Sequence, residues 1–485
     1  MNFIDYLFEN TRHSINPLIQ SDTFSISYAD VWNRAIEISG WIQEHIGSSH
    51  KIGILADNSP FFIQSYAGII HSGNTVVVID TKSSPEEILQ ILSQCSIRIL
   101  FLDSKYQSLA SGIFCVTSES SFSGNKHSVP SSTIPADDCA VIIFTSGSTG
   151  QKKGVMLTHA NLIANTRSII QYLNITYKDR MMVVLPFFYC YGASLMHTHI
   201  RMGGSLVLSD TPFLGGALKA INRFHCTGFA GVPSTYLILI HKTPFLQMTF
   251  PSLRYFTQAG GHLPSSVIFQ IASTFPDKEF FVMYGATEAT ARLSFLPPDV
   301  LFEKPDSIGK GIPGVFLKVL NEEGHNAMPG ETGEIVAAGD NIMAGYFDDP
   351  DETAKVIKEG WYHTGDLATV DEDGFIYIVG RKGSFIKSAG FRVSPLEIED
   401  IILQFDGVDA CIVFGMPDSI FGEAIIACIQ SSRDEDVIIP PLQKYCKTHL
   451  PSHKQPTAFH VLGDLPLNSS GKPDRDTIKK MFTQV

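Results

Sequence analysis

Between residues 28 and 285, short apolar runs alternate with longer amphipathic ones. "KIGILAD" (51–57), "TVVVID" (75–80), "RILFLD" (98–103) and "AVIIF" (140–144) have the length of buried strands. So do "MMVVLP" (181–186), "SLVLSD" (205–210), "RYFTQA" (254–259) and "FFVMYG" (280–285). Stretches such as "SPFFIQSYAGIIHS" (59–72) and "ALKAINRFH" (217–225) lie between them and repeat apolar residues at helical spacing. Strands alternating with helices predict parallel sheets covered by helices, an α/β fold. Past residue 300 the pattern shifts to Gly- and Asp-punctuated strands, "GEIVAAG" (333–339) and "DGFIYIVG" (373–380), which predict a β-rich section. The polar link "GRKGS" (380–384) precedes a helix, "PLEIEDIILQF", the strands "ACIVFG" and "EAIIACIQ", a second helix and a last strand, "AFHVLG". These roughly 100 residues read as a small α+β unit able to fold by itself. The expected domains are therefore 1–380 and 381–485.

Composition narrows the function. The 485 residues are 44% hydrophobic, with 33 Phe, so the chain can bury large cores. A formal charge of -13 argues against nucleic acid as the main partner, though local lysines can still hold an anionic substrate. "MNFIDYLFENTRHS" lacks a secretory pattern, and no apolar run reaches the roughly 20 residues of a membrane span. Eight cysteines without a C-x-x-C pair suit a reducing cytoplasm better than a disulfide frame or a zinc site.

The candidate chemistry begins at "TSGSTGQKKG" (145–154), between the strand "AVIIF" and the apolar run "GVML". A linker is not expected between two buried strands. Glycines there allow a tight turn that exposes N–H groups to an anion, hydroxyls add donors, and Lys153 adds a cation. It is not the Walker loop, since no G-K-[ST] runs into a helix. A Ser/Gly-rich hairpin turn would have the same composition. "MYGATEAT" (283–290) then puts an aromatic, a glycine, a hydroxyl and a carboxylate at a strand's C-terminal end, where open α/β sheets bind ligands. "WYHTGDLATVDEDGFIYIVGRK", "IKSAGFRVSPLEIED" and "LPLNSSGKPDR" (465–475) follow in that order.

Together these motifs resemble the AMP-forming adenylating superfamily of acyl-CoA synthetases, peptide-synthetase adenylation domains and beetle luciferase, over nearly the whole chain. The resemblance implies a large N-terminal domain of two α/β subdomains plus a β-barrel-like one, and a small mobile C-terminal domain. It implies attack of a carboxylate on the ATP α-phosphate, then displacement of AMP by a thiol, with ATP, Mg²⁺ and CoA as co-reactants. By the same resemblance, Thr145, Ser146, Gly147, Ser148, Thr149, Gly150 and Lys153 hold the β- and γ-phosphates. Thr287 bonds the α-phosphate and Glu288 coordinates Mg²⁺. Tyr284 and Gly285 lie along the adenine, and Gly260 and Gly261 let the backbone approach it. Asp366, assisted by Arg381, takes the ribose; Lys472 bridges carboxylate and α-phosphate; Lys387 turns towards the thiol in the second step. The hinge falls near Gly383.

The sequence departs from the family pattern at Lys152 (usually Pro), Tyr189 (often His) and Gly383 (usually Asp or Lys). From Pro186 to Ser209 no Asp or Glu stands ready for an α-ammonium group, so a free amino acid is disfavoured. An acyl pocket of Tyr189, Tyr191, Gly192, Phe229, Ala230, Gly231 and Gly260 would suit an aryl or medium-length aliphatic acid, although core packing gives the same composition. "HTH" (197–199) lies in a helical pattern whose i and i+2 side chains diverge, which argues against a metal there. "DDPDETAK" (348–355) reads as an exposed turn and helix start. The leading expectation is an acyl-CoA ligase; the rivals are a stand-alone enzyme loading a carrier protein and a non-catalytic nucleotide-binding protein.

Overall fold

The computed structural model describes every residue except 1, 111, 121, 123–133, 147–151, 212, 419–420, 469–473 and 484–485. Gly147, Ser148, Thr149, Gly150 and Lys472 therefore lie outside the described residues.

All eight strands named from their apolar runs form, in two sheets. The first has seven strands in the order Gly345–Tyr346, Lys152–Thr158, Cys139–Ser146, Thr75–Val78, Lys51–Leu55, Ile99–Leu102, Phe114–Val116. Its last five strands are parallel, while Lys152–Thr158 returns antiparallel to Cys139–Ser146 as a hairpin. The second sheet has a parallel centre from Glu279–Tyr284 through Tyr255–Gln258, Gly228–Gly231 and Arg180–Val183 to Ser205–Leu208. "GFAG" (228–231) lacks a strand's apolar pattern; it is paired with a strand on each edge, and its faces are buried under side chains that include Tyr236 and Phe256.

The β-rich section is not separate. Ser294–Leu296 and Ser307–Gly311 pair antiparallel and carry the hydrogen-bonded ladder into the strands at 315–320, 333–339, 361–370 and 376–381. Helices cover the parallel faces. Pro85–Gln94 shows why they start where they do: Pro85 sits in the first turn and Ser84 and Glu87 form a capping box. Asn58 joins the two sheets, donating to Leu185 O at 2.8 Å and accepting from Phe187 N at 2.7 Å.

Residues 386–462 fold into a third sheet of five strands, with helices Pro395–Leu403 and Glu435–His449. Among the described residues, its core, which includes Val393, Ile398, Val413, Ile429 and Leu442, draws none from the earlier part of the chain. No described helix is long and apolar enough to cross a membrane.

Candidate active site

Parallel strands present their C-terminal ends on one side of a sheet, and the two large sheets turn those ends towards a common cleft of about 900 Å³. Val78, Thr145, Gln258 and Tyr284 stand at its rim on four different strands. Tyr284 Oη donates to Asp366 Oδ2 at 2.6 Å, tying the end of the parallel sheet to the antiparallel extension. Burial, then the neighbouring Asp366 charge, pushes the Tyr284 phenol well above its ordinary value, so it stays a donor. Arg381 Nε lies 3.8 Å from Asp366 Oδ1. Gly260, Gly261 and His262 form the adjoining wall, with Gly260 at φ +88.

Gly285 permits the tight exit from the Tyr284 strand: a Cβ there would meet Ala291 O at 2.0 Å. The short 3-10 turn Thr287–Ala289 follows, and both Thr287 and Glu288 face the cleft. Thr287 Oγ1 lies 3.6 Å from Cys190 Sγ. Glu288 Oε1 accepts from Tyr346 Oη at 2.8 Å, which fixes the carboxylate and leaves its second oxygen for another partner. Among the described residues no three His, Cys, Asp or Glu cluster as metal ligands. A single fixed carboxylate fits a cation of the Mg²⁺ type, which keeps waters and phosphate oxygens as its other ligands.

Not every expected residue reaches the cleft. Thr145, Gly260, Gly261, Tyr284, Gly285, Thr287, Glu288, Asp366 and Arg381 line it. Ser146 ends its strand, paired with Lys152. Lys153 points the other way, to Glu352 Oε2 at 2.5 Å, with its ammonium 5.2 Å from the centre of the Tyr346 ring. Hydrogen bonds from Lys153 and Lys355 hold the Glu352 carboxyl down to about 2. Lys387 sits in the third sheet, its backbone N–H bonded to Glu423 at 2.6 Å and its side chain exposed.

Of the residues expected to form an acyl pocket, Tyr189 and Gly260 line the cleft and the others do not. Phe229 is fully buried against Tyr236 and Phe256; Tyr191 is buried with its hydroxyl 2.8 Å from Thr257 Oγ1. Gly192 is required by packing, since a Cβ would lie 2.0 Å from Pro186 O. These are core positions, and apolar composition cannot separate core from pocket. His197 and His199 are also core: burial lowers them to about 3 and about 4, and they bond Tyr66 Oη and Leu195 O.

Two contributions were missed in the sequence. "DDPDETAK" does start a helix, Pro350–Val356, but its Glu352 carboxylate turns to Lys153. His262 Nε2 lies 2.7 Å from Asp400 Oδ1, so the loop beside Gly261 touches the helix Pro395–Leu403. With Leu396, Leu467, Asn468 and Asp474 also on the cleft wall, the C-terminal unit closes one side of it.

Residues 9–347 match the model of the AMP-binding enzyme family, and residues 397–472 that of the AMP-binding enzyme C-terminal domain. A feruloyl-CoA synthase of an Amycolatopsis species is 27% identical over 469 residues, 94% of each chain. A long-chain-fatty-acid–CoA ligase of Salmonella typhimurium is 32% identical over 349 residues, 70% of this chain and 61% of that one. The o-succinylbenzoate CoA synthetase of Bacillus subtilis, solved with its acyl-adenylate, superposes with a TM-score of 0.88 at 25% identity, covering 99% of this chain and 98% of that chain. The same synthetase, solved with ATP and magnesium, superposes at 0.87 with 26% identity and 99% of each chain covered.

Proposed function

The chain belongs to the AMP-binding enzyme family, and from that premise we propose how its residues divide the work of an AMP-forming acid–thiol ligase. The enzyme joins a carboxylic acid to ATP, giving acyl-AMP and pyrophosphate, and a thiol, CoA, then displaces AMP to give the thioester. A carboxylate is a poor acyl donor; as a mixed anhydride with AMP it acquires a good leaving group.

The Tyr284–Asp366 pair, with Arg381 beside it, takes the nucleoside: Asp366 accepts from the ribose hydroxyls and the Tyr284 ring lies along the base next to Gly260 and Gly261. Thr287 donates to the α-phosphate. Thr145, Ser146, Gly147, Ser148, Thr149 and Gly150 surround the β- and γ-phosphates with N–H and O–H donors. Glu288 holds Mg²⁺, which when bound neutralises charge on the departing pyrophosphate. Lys153 pairs with Glu352 beside the ring of Tyr346, whose hydroxyl orients Glu288. Lys472 bridges the acid and the α-phosphate, and Lys387 serves the thiol step.

Units 1–380 and 381–485 turn about Gly383 between the two steps. The acid is non-amino, aryl or medium aliphatic, accepted beside Phe188 and Tyr189. The compartment is the cytoplasm, in keeping with eight cysteines that are all free thiols. The observation that carries this reading is the meeting, in one cleft, of the hairpin, Thr287–Glu288, Tyr284–Asp366 and the segments flanking residue 472.

Acid-dependent exchange of labelled pyrophosphate into ATP tests it, over a panel of aryl, aliphatic and amino acids. One non-amino class should support exchange, and Lys472→Ala should lower it by roughly 100-fold or more. Undiminished exchange in that variant would remove Lys472 from the reaction. Product analysis with CoA and with a carrier protein decides the acceptor.

A further inference from the structure

Two adjacent lysines leave the foot of the hairpin on opposite sides. Side chains alternate along a strand, so in Lys152–Thr158 the first two residues face different ways. Lys153 goes to Glu352 and Tyr346, whereas Lys152 lines the cleft. Lys152 Nζ donates to Ser83 Oγ at 2.7 Å and to Glu87 Oε2 at 3.1 Å. Lys152 pairs with Ser146 in the last rung before residues 147–151. It therefore stands at the first position of its strand, directly after residues 147–151, and lines the cleft.

Its partners are equally placed. Ser83 and Glu87 lie at the start of the helix Pro85–Gln94, and both line the cleft with Asp80 and Lys82. Glu87 is built in twice, accepting from the Ser84 N–H at 3.1 Å as part of the capping box and from Lys152. Burial works against its charge, but these bonds and the Lys152 charge hold the carboxyl below its ordinary value. An ammonium carries three N–H donors, so Lys152 can keep Ser83 and exchange Glu87 for another anion.

We propose that Lys152 is a binding residue for the β- and γ-phosphates of ATP, and that its pairing with Glu87 competes with its bond to a phosphate oxygen. This rests on the reading of the cleft as the ATP site. Glu87 is then a competitor of the triphosphate for the same ammonium, and Ser83 is the fixed point about which it swings. The two lysines divide: Lys152 meets the anion, and Lys153 pairs with Glu352 beside the Tyr346 ring.

Competition and mere pairing differ in sign. If Lys152 and Glu87 only hold the fold together, removing either has the same effect on ligands. If they compete, Lys152→Ala weakens ATP and Glu87→Gln does not. Glu87→Gln keeps an acceptor for the Ser84 N–H and removes only the charge. The test is calorimetric titration of ATP, pyrophosphate and AMP into the full chain and the two variants. Lys152→Ala should weaken ATP and pyrophosphate about tenfold or more, the scale of one charge-assisted hydrogen bond. AMP, which lacks both outer phosphates, should stay within about twofold. Glu87→Gln should bind ATP at least as tightly as the parent chain.

Unchanged ATP affinity in Lys152→Ala overturns the proposal. So does equal loss of AMP and ATP, or a Glu87→Gln defect matching that of Lys152→Ala. Lys152→Gln, which can still reach Ser83, repeats the comparison if the alanine variant does not fold. A parent chain that binds none of the three ligands would instead sink the reading of the cleft itself.

Discussion

Gly285 connects a buried strand to the turn carrying Thr287 and Glu288, and its neighbours leave no space for a side chain. The clash is with the backbone oxygen of Ala291, which no rotamer change relieves. Gly285→Ala should therefore cost about 1–3 kcal/mol or more of stability, read as a lowered Tm, and should displace Glu288 with the turn. At this scale the placing of residues at the cleft was legible: the Tyr-Gly-x-Thr-Glu run begins at the end of the strand Glu279–Tyr284, and Asp366 follows Gly365 in the strand Trp361–Val370. Pairings were not. Whether Lys152 or Lys153 meets the cleft depends on strand parity at the hairpin, and that parity is set by the register Ser146 to Lys152. Glu352 looked like a helix-start residue because it is one; its second role lies in a contact 199 positions away.

At the scale of elements, the helix Pro395–Leu403 meets the loop after Tyr255–Gln258 through Asp400 and His262. Burial disfavours charge on His262, yet the hydrogen bond to Asp400 and the charges of Asp400, Asp306 and Glu399 outweigh it and raise its pKa above 6.5. A raised imidazole pKa stabilises the contact fully below the ordinary value and gives that stability up as pH climbs through the raised one. Closure of the C-terminal unit over the cleft should thus be strongest at mildly acidic pH and weaken with rising pH, by about 1 kcal/mol for a partly exposed pair. Energy transfer between a dye on each unit, followed against pH, reads this directly; Asp400→Asn should flatten the profile. A profile identical in the variant would mean that another group sets the closure. The elements themselves were readable from period and length. Short strands such as "GFAG", Phe114–Val116 and Ser294–Leu296 were not, because three or four residues are too few to show a period.

For the whole molecule, the parallel strands of two mixed sheets aim their ends at one cleft, and a separately cored third sheet closes it. The alternation of strands and helices foretold the sheets, but no local pattern marks that the antiparallel strands would extend the second sheet edge to edge. In the polar stretch 380–384, Gly383 holds φ +82 with no atom within 4 Å of where a Cβ would stand. Gly383→Ala there meets only the torsional cost of a left-handed residue, about 1 kcal/mol. It should slow the adenylation half-reaction about fivefold and leave single-turnover thioester formation from preformed acyl-AMP at its parent rate. Equal slowing of both would mean that the hinge lies elsewhere.

Such a glycine works as a plain bearing: it guides the smaller unit without springing it towards either stop. The detents are polar contacts between the units: His262 with Asp400 beside the cleft and, away from it, Lys242 Nζ 3.7 Å from Asp409. An enzyme built this way has its tempo set by the medium around it, salt and proton concentration together, far more than by the stiffness of its own backbone.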